Sequence, residues 1–181
     1  MLSSLINPKT PEYTALKNII HEETFPWFYV DQMTDGIENA GYGNYGFYGH
    51  IFLERPSNSM EKLFPEVRCG LMGHVQQVIT EIAKANAIKI NCLLRANVNC
   101  VEPIADPQLT VPHYDHDFPH KNLLIYLDNA GGETVVFDET GELSAAQAHM
   151  PKEDDVILFS GLHCYRPSSK ARRKVLVATF I

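Results

Sequence analysis

The sequence predicts a mainly β fold with N-terminal helices, its core a double-stranded β-helix (jelly roll). Two patterns carry that expectation. In the second half, short apolar runs near 110–115, 123–128, 134–137, 155–159 and 174–180 are separated by stretches rich in Gly, Asp, Asn and Pro. Runs of this length bounded by breakers read as strands, and their number suits two packed sheets. In the first half, apolar residues recur at helical spacing instead.

Thr10 and Pro11 read as an N-cap and first helical residue, with Glu12 near the positive helix end, opening a helix through about Ile20. A strand is expected at Trp27, Phe28, Tyr29 and Val30. Residues 41–50 are rich in Gly and Tyr and are expected as a loop, either a lid over a substrate or a connection whose tyrosines pack on the core. From Pro65 to about Ala85, the residues Val67, Leu71, Val75, Val78 and Ile82 form one stripe of a long helix that packs outside the sheet. Residues 87–94 then read as a strand, with Ile88, Ile90 and Cys92 alternating against Lys89 and Asn91. The facing of Asn91 and Arg95 stays open, with structural hydrogen bonding expected of both.

Further on, two strand-like runs, 122–128 and 134–137, flank a turn of Asp128, Asn129, Ala130, Gly131 and Gly132, which predicts a hairpin. In the last strand the phase matters. Arg173, Val175, Val177 and Thr179 share one face, and turning that face inward avoids burying Lys174.

The chemistry-bearing pattern is His113-x-Asp115 followed by a distant His163. Side chains at i and i+2 of a strand leave the same face, so His113 and Asp115 can grip one ion while Tyr114 points away. His163 follows the apolar run 155–160, which can bring it in as a third ligand. Two histidines and one carboxylate suit Fe(II) and leave positions open for oxygen chemistry. A lone His-x-Asp arises by chance about 0.4 times in a chain with eight His and nine Asp, so the context decides. A guanidinium at the inner end of the last strand, from Arg173 with Arg172 as the fallback, can hold a carboxylate through two parallel hydrogen bonds. His116 and His120 are four apart, but Pro119 forbids one helix face; the segment 116–120 reads as a solvated loop near the mouth of the site.

In order and spacing, His113-x-Asp115, Tyr126-Leu127-Asp128-Asn129, Gly131-Gly132-Glu133-Thr134, His163 and Arg173 resemble the Fe(II)- and 2-oxoglutarate-dependent oxygenases, and within them the prolyl 4-hydroxylase-like branch. The resemblance spans roughly residues 88–181. It implies His113, Asp115 and His163 as catalytic metal ligands and Arg173 as salt-bridge partner of the cosubstrate's far carboxylate. Tyr126 is implied as a hydrogen-bond donor to that group, with Thr134 and Leu124 lining the pocket. It further implies Fe(II), 2-oxoglutarate and O2, with room for ascorbate, and hydroxylation of an unactivated C–H bond with release of succinate and CO2. A prolyl residue in a peptide is the leading substrate, and a free amino acid or other small metabolite the alternative. A non-catalytic jelly-roll binding module would show a broken ligand set or a missing arginine, and neither break is present. Asp128 departs from the family's Asn after Tyr-Leu, and the branch that anchors the cosubstrate with lysine is not matched.

Composition bounds the rest. With 181 residues and 45% hydrophobic content, one domain over 1–181 is the economical expectation. It divides into a helical and lid region at 1–86 and a jelly-roll catalytic core at 87–181. A net charge of −7 argues against a nucleic-acid surface. No apolar run reaches the length of a membrane span, and the first residues lack a signal pattern, so a cytoplasmic protein is expected. Cys69, Cys92, Cys100 and Cys164 show no Cys-x-x-Cys spacing and are expected reduced, with Cys164 a small buried hydrophobe facing away from the metal.

Overall fold

The computed structural model describes residues 1–32, 41–56, 63–138, 142 and 146–181. Segments 33–40 and 57–62 of the expected helical and lid region, and 139–141 and 143–145 of the expected core, lie outside the described residues.

Among the described residues two helices lie against one large sheet. The first, α1 (Pro11–His21), starts where the sequence places it: the Thr10 hydroxyl accepts from the Tyr13 N–H at 3.3 Å, and Pro11 sits at the first position. The second, α2 (Met72–Ala85), buries Val75, Val78, Ile79 and Ile82. The expected stripe holds from Val75 onward but not before. Glu66–Val67 is instead a short strand, β4, paired with Leu53 and Glu54, and Val67 is exposed.

The strands are β1 (Ser3–Leu5), β2 (Phe28–Val30), β3 (Phe47–Glu54), β4, β5 (Leu93–Val101), β6 (Lys121–Tyr126), β7 (Thr134–Val136), β8 (Gln147–His149), β9 (Val156–Phe159), β10 (His163–Tyr165) and β11 (Arg173–Phe180). The large sheet runs β1-β9-β6-β11-β5-β3-β2, with β4 also on β3, and the small one runs β10-β7-β8. All pairings between these strands are antiparallel. Alternation along β5 and β11 divides the core. Ala96, Val98, Leu176, Ala178 and Phe180 meet Leu16, Ile20, Val75 and Ile82 of the helices. The inner face carries Val175, which packs with Leu124, Tyr126, Val136, Ile157 and Phe159 between the two sheets. This is the mainly β jelly roll expected, although β1 to β4 show that the first 86 residues also supply strands to the large sheet.

Four further expectations are corrected. The run 110–115 is not a strand: Thr110 and His113 make only isolated bridges, to Gly43 and His163, and Asp115 lies in a bend. The runs 122–128 and 134–137 do not form a hairpin: β6 pairs with β9 and β11, whereas β7 pairs with β8 and β10. The intervening turn carries the chain from one sheet to the other, with Gly131 and Gly132 at φ of +80° and +81°. A Cβ on Gly132 would lie 2.5 Å from the Arg166 carbonyl oxygen, so glycine is required there. The strand expected at 87–94 begins only at Leu93, because Ala87 turns back at φ 53° and the Ile88 N–H bonds to the Ala83 carbonyl at 2.8 Å. Of the loop expected at 41–50, Phe47–His50 belong to β3, and the rest is tethered by Gly43 N–H to the Leu109 carbonyl at 2.8 Å. Among the described residues no helix is long and apolar enough to cross a membrane.

Candidate active site

His113 and His163 are brought together by backbone pairing. They form an antiparallel bridge at the edge of the small sheet, His113 N–H donating to the His163 carbonyl at 2.9 Å and His163 N–H to the His113 carbonyl at 3.1 Å. Asp115, two residues on, completes a cluster whose ligand atoms all lie within 4.8 Å of one another.

Each ring is oriented by a carbonyl two residues earlier. Nδ1 of His113 is 3.1 Å from the Val111 oxygen and Nδ1 of His163 is 3.1 Å from the Gly161 oxygen. A carbonyl only accepts, so each Nδ1 carries the proton and each Nε2 of the neutral ring keeps a lone pair for a metal. Burial pushes the His163 imidazole down to about 4, with Asp115 pulling the other way, so the ring is neutral at neutral pH. Burial opposes ionisation of Asp115, yet Arg95 and then His163 and His113 hold its carboxyl far below the usual range. Its Oδ1 accepts from Arg95 Nη1 at 2.5 Å while Oδ2 lies 3.6 Å from His163 Nε2. Two imidazole lone pairs and one ionised carboxylate thus converge, a donor set that fits Fe(II) with open positions remaining.

The cavity beside the cluster measures about 130 Å³ and is lined also by Leu124, Thr134, Tyr165, Arg173, Val175 and Val177. The phase read from the sequence holds: Arg173 is 5% exposed and shares the inner face of β11 with Val175 and Val177. Its Nη2 donates to Thr134 Oγ1 at 2.8 Å and its Nε to the Gly132 carbonyl at 3.3 Å. Tyr126 Oη shares a hydrogen bond of 2.7 Å with the same Thr134 hydroxyl. The partners recorded for this guanidinium are neutral. A buried cation held so is a receptor for an anion, since an uncompensated charge in the interior is costly. Arg172, the fallback, is on the opposite face and pairs with Glu102 at 2.9 Å.

Sequence reasoning missed four polar lining residues. Tyr165 packs its ring 4.6 Å from the Arg173 guanidinium, and its buried hydroxyl has no partner; its spacing of two from His163 was the available signal. Arg95 faces the cavity on β5 and Asn99 lines the same wall; with the strand start misplaced, their facing was not readable. Arg55 donates to the Asp115 main-chain carbonyl at 2.8 Å, a contact with no local signal. The 116–120 segment is also corrected: His116 and His120 are buried rather than solvated. His116 Nε2 shares a 2.7 Å hydrogen bond with Thr179 Oγ1, and burial, then His120, lowers its pKa to about 4. Cys164 packs with Leu109, Val135 and Phe137 as expected. Asp128 accepts the Lys174 N–H at 3.1 Å, a bond the family's Asn can equally make.

Fold and cluster together define a jelly roll with a two-histidine, one-carboxylate centre between its sheets. No family model matches the sequence, and no curated protein matches it. Solved structures do. The chain is similar to an oxidoreductase of the 2OG-Fe(II) oxygenase family from Burkholderia pseudomallei, at 14% identity and TM-score 0.65, over 93% of this chain and 78% of that one. It is similar to a Trichoplax adhaerens prolyl hydroxylase in complex with a hypoxia inducible factor oxygen degradation domain peptide fragment, at 11% identity and TM-score 0.61, over 99% and 83%. It is also similar to SnoN, a non-haem alpha ketoglutarate dependent epimerase from nogalamycin biosynthesis, at 13% identity and TM-score 0.58, over 99% and 77%. The chain therefore has the fold of the 2OG-Fe(II) oxygenases, prolyl hydroxylases among them.

Proposed function

We propose that this chain is an Fe(II)- and 2-oxoglutarate-dependent dioxygenase that hydroxylates an unactivated C–H bond. The observation that carries the reading is one cavity holding a His-Asp-His donor set and, deeper in the same wall, a buried guanidinium held by neutral groups. When bound, iron with 2-oxoglutarate and O2 supplies the oxidising chemistry, with succinate and CO2 as co-products. The protein supplies the geometry. His113, Asp115 and His163 hold the metal, and the Val111 and Gly161 carbonyls keep both rings in the ligating tautomer. Arg173 takes the cosubstrate's far carboxylate, flanked by hydroxyls of Thr134, Tyr126 and Tyr165. Leu124, Val175 and Val177 keep the channel apolar and exclude water.

The substrate expected from the resemblance is a prolyl residue in a peptide, and the peptide fragment in the Trichoplax complex supports that kind of substrate. The epimerase neighbour keeps the small-metabolite reading open. The intact ligand set and arginine weigh against a non-catalytic module. One domain over 1–181, a cytoplasmic setting in which the four free cysteines stay reduced, and ascorbate as accessory reductant belong to the same proposal.

The test is an anaerobic titration with Fe(II) and then 2-oxoglutarate, watching for visible charge-transfer absorption. The band is expected in the native protein and absent from His163→Ala. Folded native protein that gives no band refutes the assignment.

A further inference from the structure

We propose that the substrate carries an anionic group, a carboxylate above all, which seats on Arg55 and Arg95 beyond Asp115. This deepens the dioxygenase reading and rests on it.

Charge makes the case. Among the described residues lining the cavity, Arg55, Arg95 and Arg173 are cationic and Asp115 is the single acid. An Fe(II) ion adds two positive charges and 2-oxoglutarate two negative ones, so the cosubstrate offsets the metal. Asp115 offsets one arginine, so the lining keeps a net positive charge, with Arg55 at its exposed rim.

Their placement decides which anion answers them. Arg173 pairs with Val101, whereas Arg95 pairs with Thr179, six residues further along β11, about 20 Å of strand. The two arginines enter the cavity from opposite ends. A diacid anchored on Arg173 would enter from the Arg173 end, and the wall of Arg55 and Arg95 stands at the other end, beyond the metal cluster.

That wall is built. Arg95 Nη1 donates to Asp115 Oδ1 at 2.5 Å and Arg55 Nη1 to the Asp115 carbonyl at 2.8 Å, so one residue gathers both guanidinium groups. Asn99 lines the cavity nearer its other end, since it pairs with Val175 of β11, and its Oδ1 accepts from Asn97 Nδ2 at 2.6 Å. Two guanidiniums gathered on one residue form a receptor for a planar carboxylate. A neutral prolyl ring offers it nothing, so the carboxylate comes either from the substrate's own α-carboxyl group or from an acidic side chain beside the reacting residue.

The experiment loads the full chain with Zn(II) and N-oxalylglycine, a redox-inert metal and a cosubstrate analogue. The complex is titrated with sodium sulfate at constant ionic strength in a calorimeter. Saturable one-to-one binding is expected, weakened about tenfold in Arg55→Gln, the loss of one charged hydrogen bond. Arg55 is exposed, so this variant folds. Sulfate that does not saturate, or binds Arg55→Gln equally, overturns the proposal. Failure of Zn(II) and N-oxalylglycine to bind at all overturns the dioxygenase reading and the proposal together, which separates the two.

A second arm uses Fe(II), 2-oxoglutarate and O2 and compares succinate release with free amino acids against their amides, and with prolyl peptides bearing or lacking a neighbouring Glu. Preference for acids over amides assigns a small-molecule carboxylate, and preference for acidic peptides assigns a side chain. Equal stimulation by neutral amides or neutral peptides overturns the anion requirement.

Discussion

His113 and His163 exchange both backbone hydrogen bonds across one antiparallel bridge, so their rings, 4.6 Å apart between centroids, project side by side from the edge of the small sheet. A pair placed by main-chain geometry does not depend on the metal for its position. Asp115 differs: its carboxylate is held by Arg95.

Asp115→Ala is therefore expected to do two things. It removes Fe(II) binding and succinate production, and it leaves the Arg95 guanidinium without its acid in a largely buried place. That orphaned charge costs about 3 kcal/mol of stability. Adding Arg95→Met to Asp115→Ala restores most of the loss. Chemical denaturation of both variants checks this, and an Asp115→Ala protein as stable as the native chain would show that the ion pair is structurally idle.

Arg173→Gln is expected to raise the 2-oxoglutarate dissociation constant about thirtyfold or more, the loss of roughly 2 kcal/mol of charged hydrogen bonding, with Fe(II) affinity unchanged. Its effect on the fold has the opposite sign. Removing a buried cation held by neutral partners leaves the thermal midpoint equal or higher. A fall in both cosubstrate affinity and midpoint would mark Arg173 as a structural residue instead.

Tyr165→Phe isolates the unpartnered hydroxyl. No hydrogen bond is lost in the free protein, so stability stays within about 0.5 kcal/mol of native. Cosubstrate affinity falls about fivefold, as for one neutral hydrogen bond. Unchanged binding of N-oxalylglycine by this variant would remove Tyr165 from the anchor.

Far from the cavity, Asp154 fastens the helical layer to the sheet. Its carboxylate accepts from Tyr13 Oη at 2.6 Å and pairs with Lys17 at 2.5 Å and Lys9 at 2.9 Å. Burial opposes its ionisation, but Lys17, Tyr13 and Lys9 lower its pKa to about 2. A folded value below the unfolded one stabilises fully above about pH 4 and is lost as pH falls toward the folded value. The stability difference between native protein and Asp154→Asn is thus expected to be constant above pH 4 and to shrink between about pH 4 and pH 2. Acid titrations of the two denaturation midpoints measure it, and a constant gap down to pH 2 would contradict the pairing.

What the sequence determined by itself is what rests on neighbours along the chain. Thr10 and Pro11 announce α1 because a cap and a fixed φ act within one turn. Arg173, Val175 and Val177 share a face because a strand alternates with period two whatever it pairs with, whereas Asp115 joins His113 from a bend beyond an isolated bridge rather than from the strand expected at 110–115. Pairing itself is not local. The turn at 128–132 looks like a hairpin, yet β6 and β7 enter different sheets, since β9 and β11 pair both edges of β6 while its faces are buried against the helices on one side and the small sheet on the other. The same non-local choice set Arg95 beside Asp115, turned Tyr165 under Arg173 and buried His116 and His120. Each depends on which strand edge faces which, and only the closing of two sheets over one core decides that.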